Sequence, residues 1–507
     1  MDVLLRVEKL NKRFPQVWAD RDVTFDVRRG EIHCLLGENG AGKTTLAECL
    51  YGTYRPDSGT IVLRDEVLDL GSPRDAIRAG IGMVHQHFVL APPLSVLENI
   101  IVGTELPFLL DLRKAETRLR ALCDDYGLHL DLRATIQHLS VGERQWVEIL
   151  KALYVGVDLL ILDEPTAVLT PMETDKLFAI IQRMKTEGLA VIFITHKLDE
   201  VTALSDRVTI LRRGEVVATV DTTDVDKADL ARMMVGREVV FRVEKEEVEP
   251  GPPVLEVEEV IALGDRDQEA LRGASFQVRG GEILGLAGVS GNGQRELFDV
   301  LVGMRRATHG RVLLRGTDVT NRPPRFLLER GIGSVPEDRI EEGLVMDFRV
   351  HENLVLGLHR AAPYSRLKFL NEGRMALFAE EAVDSYSIAT PSAKQVTRLL
   401  SGGNLQKVIL ARELSTDPVC LIANQPTRGL DVGATEYVHG RLLEQRLRGA
   451  GILLISDDLD EIFNLADRIA VILLGRMVGM LDAREATLEK VGLLMAGVDQ
   501  ATVQDRV

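Results

Sequence analysis

Short apolar runs alternate with amphipathic stretches along the whole chain. Runs rich in Val, Ile and Leu, such as "EIHCLL" (31–36) and "GILLIS" (451–456), have the length of buried strands. Between such runs lie stretches with helical periodicity, for example "PMETDKLFAIIQRMKTEG" (171–188). Buried strands that alternate with helices are typical of α/β domains with a largely parallel sheet. The pattern therefore predicts the α/β fold class.

The same pattern occurs twice. "TFDVRRGEIHCLLGENGAGKTTL" (24–46) returns as "SFQVRGGEILGLAGVSGNGQREL" (275–297), and "LSVGERQ" (139–145) returns as "LSGGNLQ" (400–406). The two signature-like segments lie ten residues farther apart in the sequence than the two glycine-rich segments do. The second copy has therefore gained ten residues between 338 and 400. A repeat of this kind indicates tandem domains. The charged, then proline-rich "RVEKEEVEPGPP" reads as a connector, which predicts domains 1–241 and 254–507 with a linker at 242–253.

Charge and composition exclude several classes of function. The 507 residues include 61 Lys and Arg against 77 Asp and Glu, a net charge of −16, so the field repels phosphate backbones and no nucleic acid partner is expected. No apolar run has the length of a membrane helix and the N-terminus lacks a signal-peptide pattern, which favours a cytosolic chain. Four scattered cysteines, Cys34, Cys49, Cys123 and Cys420, indicate neither a zinc site nor disulfides.

A glycine-rich loop in the first copy has the pattern of a phosphate cradle. "GENGAGKT" (37–44) follows a strand-like run and opens the helix-like "KTTLAECLYG" (43–52). Loop N–H groups and the helix N-terminus are expected to hold phosphates, with Lys43 at the β- and γ-phosphates and the Thr44 hydroxyl on Mg²⁺. The predicted phosphate-binding residues are Gly37, Glu38, Asn39, Gly40, Ala41, Gly42, Lys43, Thr44 and Thr45.

Two carboxylates end a later strand of the same copy, in "LLILDE" (159–164). Phosphoryl transfer depends on positioning and charge neutralisation, so one metal-binding acid and one water-positioning acid are the expected minimum. Asp163 is predicted to hold Mg²⁺ or its water shell, and Glu164 to orient and polarise the attacking water.

Together these motifs resemble the ATP-binding cassette (ABC) superfamily. The resemblance rests on the phosphate loop, the Asp163-Glu164 strand, both signatures, the glutamine of "MVHQHF" (83–88) and the histidine of "FITHKLDE" (193–200). It implies two tandem P-loop ATPase domains, each with a mixed, largely parallel sheet core, an antiparallel β part and a helical signature subdomain. It also implies the cofactors ATP and Mg²⁺, with Phe14 stacking on adenine, Gln86 sensing Mg²⁺ and water, and His196 contacting the γ-phosphate.

In the family, two such domains close head to tail, so each ATP lies between the phosphate loop of one copy and the signature of the other. The first composite site would then join the loop with the catalytic residues Lys43, Gln86, Glu164 and His196, the Mg²⁺ ligands Thr44, Gln86 and Asp163, and the second copy's Ser401, Gly402, Gly403 and Asn404. Every position of this site has the competent residue type.

The second composite site has lost these residue types. The lysine becomes Gln294, the Mg²⁺-binding hydroxyl Arg295, and the acidic pair Asn424 and Gln425. Its residues are Gly288, Gly293, Gln294, Arg295, Glu337, Asn424, Gln425 and Asp457, with Asp265 at the place of Phe14, and they face Ser140, Val141, Gly142 and Thr170 of the first copy. All the losses fall on one site. We therefore expect the second copy to be a structural and signalling half that hydrolyses nothing, with nucleotide binding without turnover still open.

An ATPase without a membrane segment passes its closing motion to another chain. The apolar, proline-containing stretch "HFVLAPPLSVLENIIVG" (87–103) and its counterpart "IEEGLVMDFRVHENLVLG" (340–357) are expected to dock permease subunits. The implied partners are two integral-membrane permease subunits and, indirectly, an extracytoplasmic solute-binding lipoprotein, with this chain peripheral at the cytoplasmic face of the membrane.

The tandem arrangement with "GNGQ" and "PEDR" in the second copy resembles the ATP-binding subunits of importers for simple sugars and nucleosides. "MVHQHFVLAPPLSVLENI", "LSVGERQWVEILKALY" and "IANQPTRGLDVGATEYVHGRLLE" favour the nucleoside branch. A monosaccharide importer of the ribose and galactose type is the alternative. A tandem ABC ATPase acting on nucleic acid is a remote third reading, because the connector is short and acidic and there is no C-x-x-C pair.

Overall fold

The computed structural model describes residues 2–498 except 16, 87, 103–111, 129, 167–168, 170, 237–244, 266, 290, 361, 367–368 and 496, and without the side chains of Val141, Pro171, Met172 and Arg366. Two compact units divide the chain, residues 1–239 with 431–433 and residues 240–430 with 434–507. The end of the connector packs on the second unit, where Arg446 donates to the Glu246 carbonyl at 2.8 Å. The domain limits drawn from the sequence stay a prediction.

The first half of the chain forms two sheets and a set of helices. Its strands are β1 (Val3–Phe14), β2 (Val17–Arg28), β3 (Ile32–Leu36), β4 (Ser58–Leu63), β5 (Glu66–Leu68), β6 (Ile81–Val84), β7 (Leu159–Asp163), β8 (Ala190–Thr195), β9 (Arg207–Arg212) and β10 (Glu215–Asp221). Its helices are α1 (Lys43–Leu50), α2 (Pro73–Ala79), α3 (Val96–Ile101), α4 (Leu112–Asp125), α5 (Val141–Val155), α6 (Pro171–Thr186), α7 (Leu198–Leu204) and α8 (Lys227–Val235).

The second half repeats this order. Its strands are β11 (Pro253–Leu263), β12 (Glu269–Arg279), β13 (Ile283–Ala287), β14 (Ala307–Leu314), β15 (Thr317–Asp318), β16 (Ile332–Val335), β17 (Ser365–Arg366), β18 (Phe369–Leu370), β19 (Cys420–Asn424), β20 (Gly451–Ser456), β21 (Arg468–Leu473) and β22 (Arg476–Asp482). Its helices are α9 (Gln294–Leu301), α10 (Pro324–Glu329), α11 (Val350–Leu354), α12 (Glu372–Ser385), α13 (Gly402–Leu414), α14 (Val432–Leu447), α15 (Leu459–Leu465) and α16 (Leu488–Met495). The β17–β18 hairpin and a π-helical turn at Arg339–Gly343 lie in the interval that gained ten residues.

Each half has an antiparallel sheet and a mostly parallel one. In the first half the antiparallel order is β2-β1-β4-β5, and the core sheet runs β10-β9-β3-β8-β7-β6 with only the β9–β10 pair antiparallel. The second half repeats both orders, as β12-β11-β14-β15 and β16-β19-β20-β13-β21-β22. Helices α3, α4 and α5, and likewise α11, α12 and α13, pack together as a helical part that carries the signature. The predicted α/β class, parallel core, antiparallel part and helical signature subdomain are confirmed.

The parallel core gathers the motif residues at one edge. Every residue of β3, β7 and β8 is buried, as expected for strands covered on both faces. Leu36 at the end of β3 pairs with Thr195 at the end of β8, and Asp163 at the end of β7 pairs with Ile194. Since ligands of open α/β sheets bind beyond the carboxyl ends of the strands, this register brings the loop, the acids and the histidine together. Among the helices of the described residues, none is both long and apolar enough to span a membrane.

Candidate functional site

The first phosphate loop joins the end of β3 to the start of α1. Its order is Gly37, Glu38, Asn39, Gly40, Ala41 and Gly42, followed by Lys43, Thr44 and Thr45 in the first turn of α1. Gly42 has a φ of 108°, a left-handed conformation that side chains rarely adopt. A Cβ there would lie 2.4 Å from Asp20 Oδ1 and 2.6 Å from the Ala19 carbonyl oxygen. Glycine at this position lets α1 begin directly after the turn, which is the geometry that binds phosphate at a helix N-terminus.

Lys43 is folded into this loop. The side chain is buried, and its Nζ donates to the carbonyl oxygens of Gly37 at 2.7 Å and Glu38 at 3.0 Å. Burial lowers the pKa of the Lys43 ammonium, while Glu164 and Asp163 act in the opposite direction. The loop thus contains a cation whose partners are neutral carbonyls, which anionic phosphates can replace.

Asp163 is a buried carboxylate at the end of β7. It is 1 % exposed, and neither of its oxygens has a hydrogen-bond partner of good geometry among the described residues. Burial raises its pKa to about 6, and the nearby Thr44 hydroxyl acts in the opposite direction. A buried carboxylate is costly unless it is paired or bound to a metal. The two predicted Mg²⁺ ligands Asp163 and Thr44 are therefore neighbours, and the carboxylate oxygens of Asp163 are available to bind a metal ion.

Glu164 is held from two sides. Its Oε2 accepts from Gln86 Nε2 and its Oε1 accepts from His196 Nδ1, each at 2.9 Å. Burial by itself would raise the pKa of Glu164, but the His196 hydrogen bond and the charge of Lys43 outweigh it and leave this pKa below its usual range. Glu164 also has a positive φ of 46°, and its N–H donates to the Ile194 carbonyl at 3.0 Å. The glutamine, the acid and the histidine singled out in the sequence thus form one cluster.

Phe14 lies at the end of β1 as a partly exposed ring. It meets Tyr54 edge to face, with ring centroids 5.4 Å apart, and Lys12 Nζ lies 5.6 Å from its centroid. The ring is therefore not a core aromatic, although its predicted contact with adenine stays a prediction.

The serines of the two signatures make different hydrogen bonds at the start of their helices. Ser140 caps α5 with a capping box, in which the Ser140 hydroxyl accepts from the Glu143 N–H at 3.2 Å and the Glu143 carboxylate accepts from the Ser140 N–H at 2.8 Å. In the second copy the Ser401 hydroxyl accepts from the Asn404 side chain at 2.8 Å, and no side-chain cap of α13 involves Ser401. Gly402 and Gly403 follow in the first turn of α13, and Gly142 in that of α5. The Val141 side chain and Thr170 lie outside the described residues.

The second phosphate loop copies the fold of the first with other chemistry. It joins β13 to α9 and keeps Gly288, while Gly293 has a φ of 106°, close to that of Gly42. The Gln294 amide replaces the lysine, and Nε2 donates to the Val289 carbonyl at 3.1 Å. Arg295 replaces the hydroxyl and points toward Glu342, 3.5 Å away.

The remaining positions of the second pocket carry amides and ion pairs. Asn424 is buried at the end of β19, and Gln425 has a φ of 50° like Glu164. Glu337 forms an ion pair with Arg428, and Asp265 forms one with Arg305 at 2.6 Å. Asp457 follows β20, at the place that His196 has after β8.

Two buried acids beside the first pocket escaped the sequence reasoning. Glu200, on α7, accepts from Thr166 at 2.5 Å and from Thr195 at 2.6 Å, so it ties the loop after Glu164 to the strand end before His196. Asp20, on β2, is fully buried beside Gly42, and neither oxygen has a hydrogen-bond partner among the described residues. Burial raises the pKa of Asp20 to about 7. Glu200 follows His196 by four residues and was readable as a helix-start acid, whereas no local pattern signals the burial of Asp20.

The stretches after Gln86 and Glu337 are partly open. Val89 and Val102 are exposed in the first stretch, and Ile340, Val345 and Phe348 in the second, while residues such as Val96, Ile100, Val350 and Leu354 enter the cores. One asparagine side chain stabilises each of these stretches. Asn99 Oδ1 accepts from the Ala91 N–H at 2.7 Å, and the Asn353 carboxamide accepts from the Val345 N–H and donates to the Val345 carbonyl. His87 and Gly103, at the ends of the first stretch, lie outside the described residues.

Comparisons with known proteins agree with this geometry. The family model described as ABC transporter matches residues 21–167 and again residues 271–428. The chain is 48 % identical to the glucose import ATP-binding protein of Haloferax volcanii, over 98 % of this chain and 96 % of that protein. It is 45 % identical to the guanosine import ATP-binding protein of Bacillus subtilis, over 99 % and 98 %. It is 43 % identical to the nucleoside import ATP-binding protein of Lactococcus lactis, over 98 % of each chain.

A family match to both halves and likeness over nearly the full length point the same way as the phosphate loop and the Gln86, Glu164 and His196 cluster. The two halves carry the same sheet orders and the same helical signature part, so both matches fall on complete domains. The chain belongs to the ABC transporter family and is an ATPase of that family, with two ATP-binding cassettes in tandem.

Proposed function

We propose that this chain is the energy-coupling subunit of an importer for nucleosides, and that ATP hydrolysis takes place in the first pocket alone. The observation that carries the proposal is the first pocket itself. There Glu164 lies between Gln86 and His196, and Lys43 is buried in the loop beside Asp163. The second pocket holds Gln294, Asn424 and Gln425 at the matching places.

The first pocket supplies the groups that phosphoryl transfer needs. The buried ammonium of Lys43 and the N-terminus of α1 offset the phosphate charge, and this electrostatic term is usually the largest part of catalysis. Glu164 is ionised at neutral pH because His196 and Lys43 hold its pKa down, so it accepts a hydrogen bond from water and orients that water for attack. His196 and Gln86 fix the carboxylate from both sides, which limits the directions from which water can attack.

Mg²⁺ fits the first pocket and not the second. Asp163 is buried with two unpartnered oxygens beside the Thr44 hydroxyl, and with Gln86 these are the residues that would hold the ion or its water shell. Mg²⁺ bound with ATP takes most of its ligands from phosphate and water, so a few protein ligands suffice, and the ion neutralises charge on the phosphates. Asn424 and Arg295 offer no such pair in the second copy.

The second copy serves the first pocket. Its signature, Ser401, Gly402, Gly403 and Asn404, would close over the ATP bound to the first phosphate loop, as the family arrangement implies. The closing motion then drives two permease subunits, and a solute-binding lipoprotein delivers the solute to them from the other side of the membrane. Val89, Val102, Ile340, Val345 and Phe348 are exposed apolar side chains at the proposed docking stretches, which supports a position of this chain at the cytoplasmic face of the membrane.

Nucleosides are the proposed solute, supported by near full-length likeness to the guanosine and nucleoside import proteins. Monosaccharides are the second candidate, because the glucose import protein of Haloferax volcanii is 48 % identical. No residue of this chain is expected to touch the solute, so uptake has to be measured in cells.

The test is uptake of labelled guanosine, adenosine, glucose, ribose and galactose by source cells that carry Lys43→Ala in this chain. Lys490→Ala on α16 changes the same residue type outside both pockets and is the matched control. Loss of nucleoside uptake alone supports the proposal. Loss of sugar uptake alone keeps the ATPase and replaces the solute, and unchanged uptake of all five contradicts the importer function for these solutes.

A further inference from the structure

We propose that the second pocket is closed by its own side chains and holds no nucleotide, so that one chain binds a single ATP, in the first pocket. This rests on the proposed function, which leaves open whether the second pocket binds ATP without turnover. Four features of the described residues support it: the second phosphate loop, its attachment to the sheet, the charges around it, and the signature of the first copy.

A side chain of the second phosphate loop forms hydrogen bonds within the loop itself. The Gln294 side chain is buried, and its Oε1 accepts from the Asn292 N–H at 3.1 Å, while its Nε2 donates to the Val289 carbonyl at 3.1 Å. One neutral amide therefore bonds both to a carbonyl and to an N–H group of the loop, and this N–H also donates to the Val289 carbonyl at 3.3 Å. Lys43 in the first loop has no acceptor to offer, so it leaves that function to the nucleotide.

The loop is also pinned to the neighbouring hairpin. The Asn292 carbonyl accepts from the Gly475 N–H at 2.9 Å, and its side-chain Oδ1 accepts from the Leu474 N–H at 2.7 Å. Asn292 Nδ2 donates back to the Val289 carbonyl at 2.8 Å. In the first loop the matching residue is Ala41, which has no polar side chain and makes backbone bonds alone, from Gly214 at 3.0 Å and to the Glu38 carbonyl at 3.1 Å. Opening the second loop for phosphate would break side-chain bonds of Asn292 that Ala41 cannot make.

The charges around the second loop differ from those of the first pocket. Four neutral residues of the first pocket become carboxylates: Phe14, Thr45, Gln86 and His196 correspond to Asp265, Glu296, Glu337 and Asp457. The buried lysine and the acids Asp163 and Glu164 have no charged counterparts, while arginines at 295, 305 and 428 replace neutral residues. Arg305 and Arg428 lie nearby, but they are already paired with Asp265 and Glu337. An ATP entering this pocket would therefore lack the buried ammonium that Lys43 supplies in the first pocket to offset phosphate charge.

The first signature, which would face this pocket, is occupied by its own acids. The capping box places the Glu143 carboxylate at the N-terminus of α5. A Cβ on Gly142 would lie 2.2 Å from Glu173 Oε1, so a second carboxylate lies against the same turn. A γ-phosphate would have to displace Glu143 or accept both negative charges beside it. In the second signature the residue at the place of Glu143 is the neutral Asn404.

The test is the number of ATP molecules bound per chain, measured with labelled ATP and Mg²⁺ by equilibrium dialysis of the full chain. Glu164→Gln is used to suppress turnover, and the double variant Glu164→Gln, Lys43→Ala removes binding in the first pocket. We expect one ATP per chain in the first protein and less than a tenth of that in the second at the same ATP concentration. Photolabelling with 8-azido-ATP followed by peptide mapping should then leave the turn between β11 and β12, which carries Asp265, unlabelled.

The outcomes separate this inference from the proposed function. Two ATP per chain, falling to one with Lys43→Ala, overturn the inference and leave the proposed function intact. One ATP that survives Lys43→Ala overturns both, because the nucleotide would then sit in the second pocket. No binding in either protein supports the closed second pocket and contradicts the proposed function.

Discussion

Glu164 and Gln425 occupy matching positions with the same unusual backbone, at φ of 46° and 50°, and differ only in the side-chain charge. Because the ionised carboxylate is the group that orients water, we expect Glu164→Gln to lower ATP turnover by roughly 10²–10⁴-fold. Gln425→Glu restores a carboxylate in the second pocket without the lysine and metal ligands around it, so turnover should stay unchanged. Steady-state phosphate release from the purified chain measures both. Equal turnover of Glu164→Gln and the parent chain would move the reaction out of the first pocket.

Asp20 makes a prediction about pH. Its pKa is raised to about 7 by burial, above the ordinary 3.8, so the folded chain binds this proton more tightly than the unfolded chain does. Ionised Asp20 therefore lowers the stability of the folded chain. This destabilisation is absent below about pH 4, grows between the pKa values of 3.8 and about 7, and is complete above pH 7. The carboxyl lies on β2 beside α1, and the thiol of Cys49 is the titratable neighbour there.

Asp20→Asn removes the ionisation while it keeps the shape of the side chain. We expect the variant to unfold at a higher temperature than the parent at pH 8, by a margin on the order of a few kcal/mol in free energy, with the two converging near pH 4. Thermal unfolding followed by circular dichroism across this pH range provides the measurement. Parallel curves at all pH values would show that Asp20 has the same pKa in both states.

The residue types of the site were readable from the sequence because each follows a buried strand with recognisable chemistry. Gln86, Glu164 and His196 were expected near one another, and the structure places them in one cluster. Asp20 was not readable, since its position in "WADRDV" looks like an outward-facing polar residue of a strand. Its burial depends on how β2 packs on α1, which no local pattern encodes.

The turn before α1 offers a matched pair of substitutions. Gly42 and Gly293 have φ values of 108° and 106°, and a Cβ at either would strike backbone oxygen, at 2.6 Å from Ala19 and 2.8 Å from Ala270. Alanine at either position should therefore cost about 1–2 kcal/mol or more in stability. Only Gly42→Ala should also weaken ATP binding, by at least roughly tenfold, because only the first loop is proposed to hold phosphate.

Isothermal titration with ATP and Mg²⁺, in the Glu164→Gln background, compares the two alanine variants at a temperature where both are folded. Equal loss of affinity in both would mean that the second loop contributes to nucleotide binding after all.

The order of strands and helices was largely predictable, because all-buried strands such as β3, β7 and β8 give unbroken apolar runs. The capping box of Ser140 and Glu143 was also visible as a serine followed three residues later by a glutamate. The effect of the capping box on ligand binding was not visible. A serine followed three residues later by a glutamate does not indicate whether the N-terminus of the helix must stay free for a ligand. That distinction appears only when Ser140 is compared with Ser401, whose hydroxyl bonds Asn404 instead.

At the scale of the whole molecule, we propose that the two copies divide functions that two identical copies would each perform. The first copy keeps the phosphate loop and the acids but has a self-capped signature. The second copy keeps an open signature and has a self-satisfied phosphate loop. If the halves close head to tail, as the family arrangement implies, the single competent site that we propose would draw on both. The sequence predicts this division, because the losses all fall on one of the two expected composite sites.

Gly402 allows the proposed cooperation between the halves to be tested directly. No described atom lies within 4 Å of a Cβ built on Gly402, so a valine there can be accommodated by its own domain. The same substitution copies Val141 of the first signature. If the second signature closes over ATP in the first pocket, Gly402→Val crowds the approach to phosphate. Turnover should then fall by up to roughly 100-fold, although no residue of the first pocket has changed.

Phosphate release and thermal unfolding of Gly402→Val and of Val141→Gly, the reverse exchange, complete this test. Unfolding temperatures close to that of the parent chain would establish that the folds are intact. A fall in turnover for Gly402→Val but not for Val141→Gly would then show that one half affects catalysis in the other. Gly402 lies on α13, whereas the Gln86, Glu164 and His196 cluster lies in the first half. Equal turnover in all three proteins would mean that the first pocket works without the second copy's signature, and the reason proposed for keeping the second copy would fail.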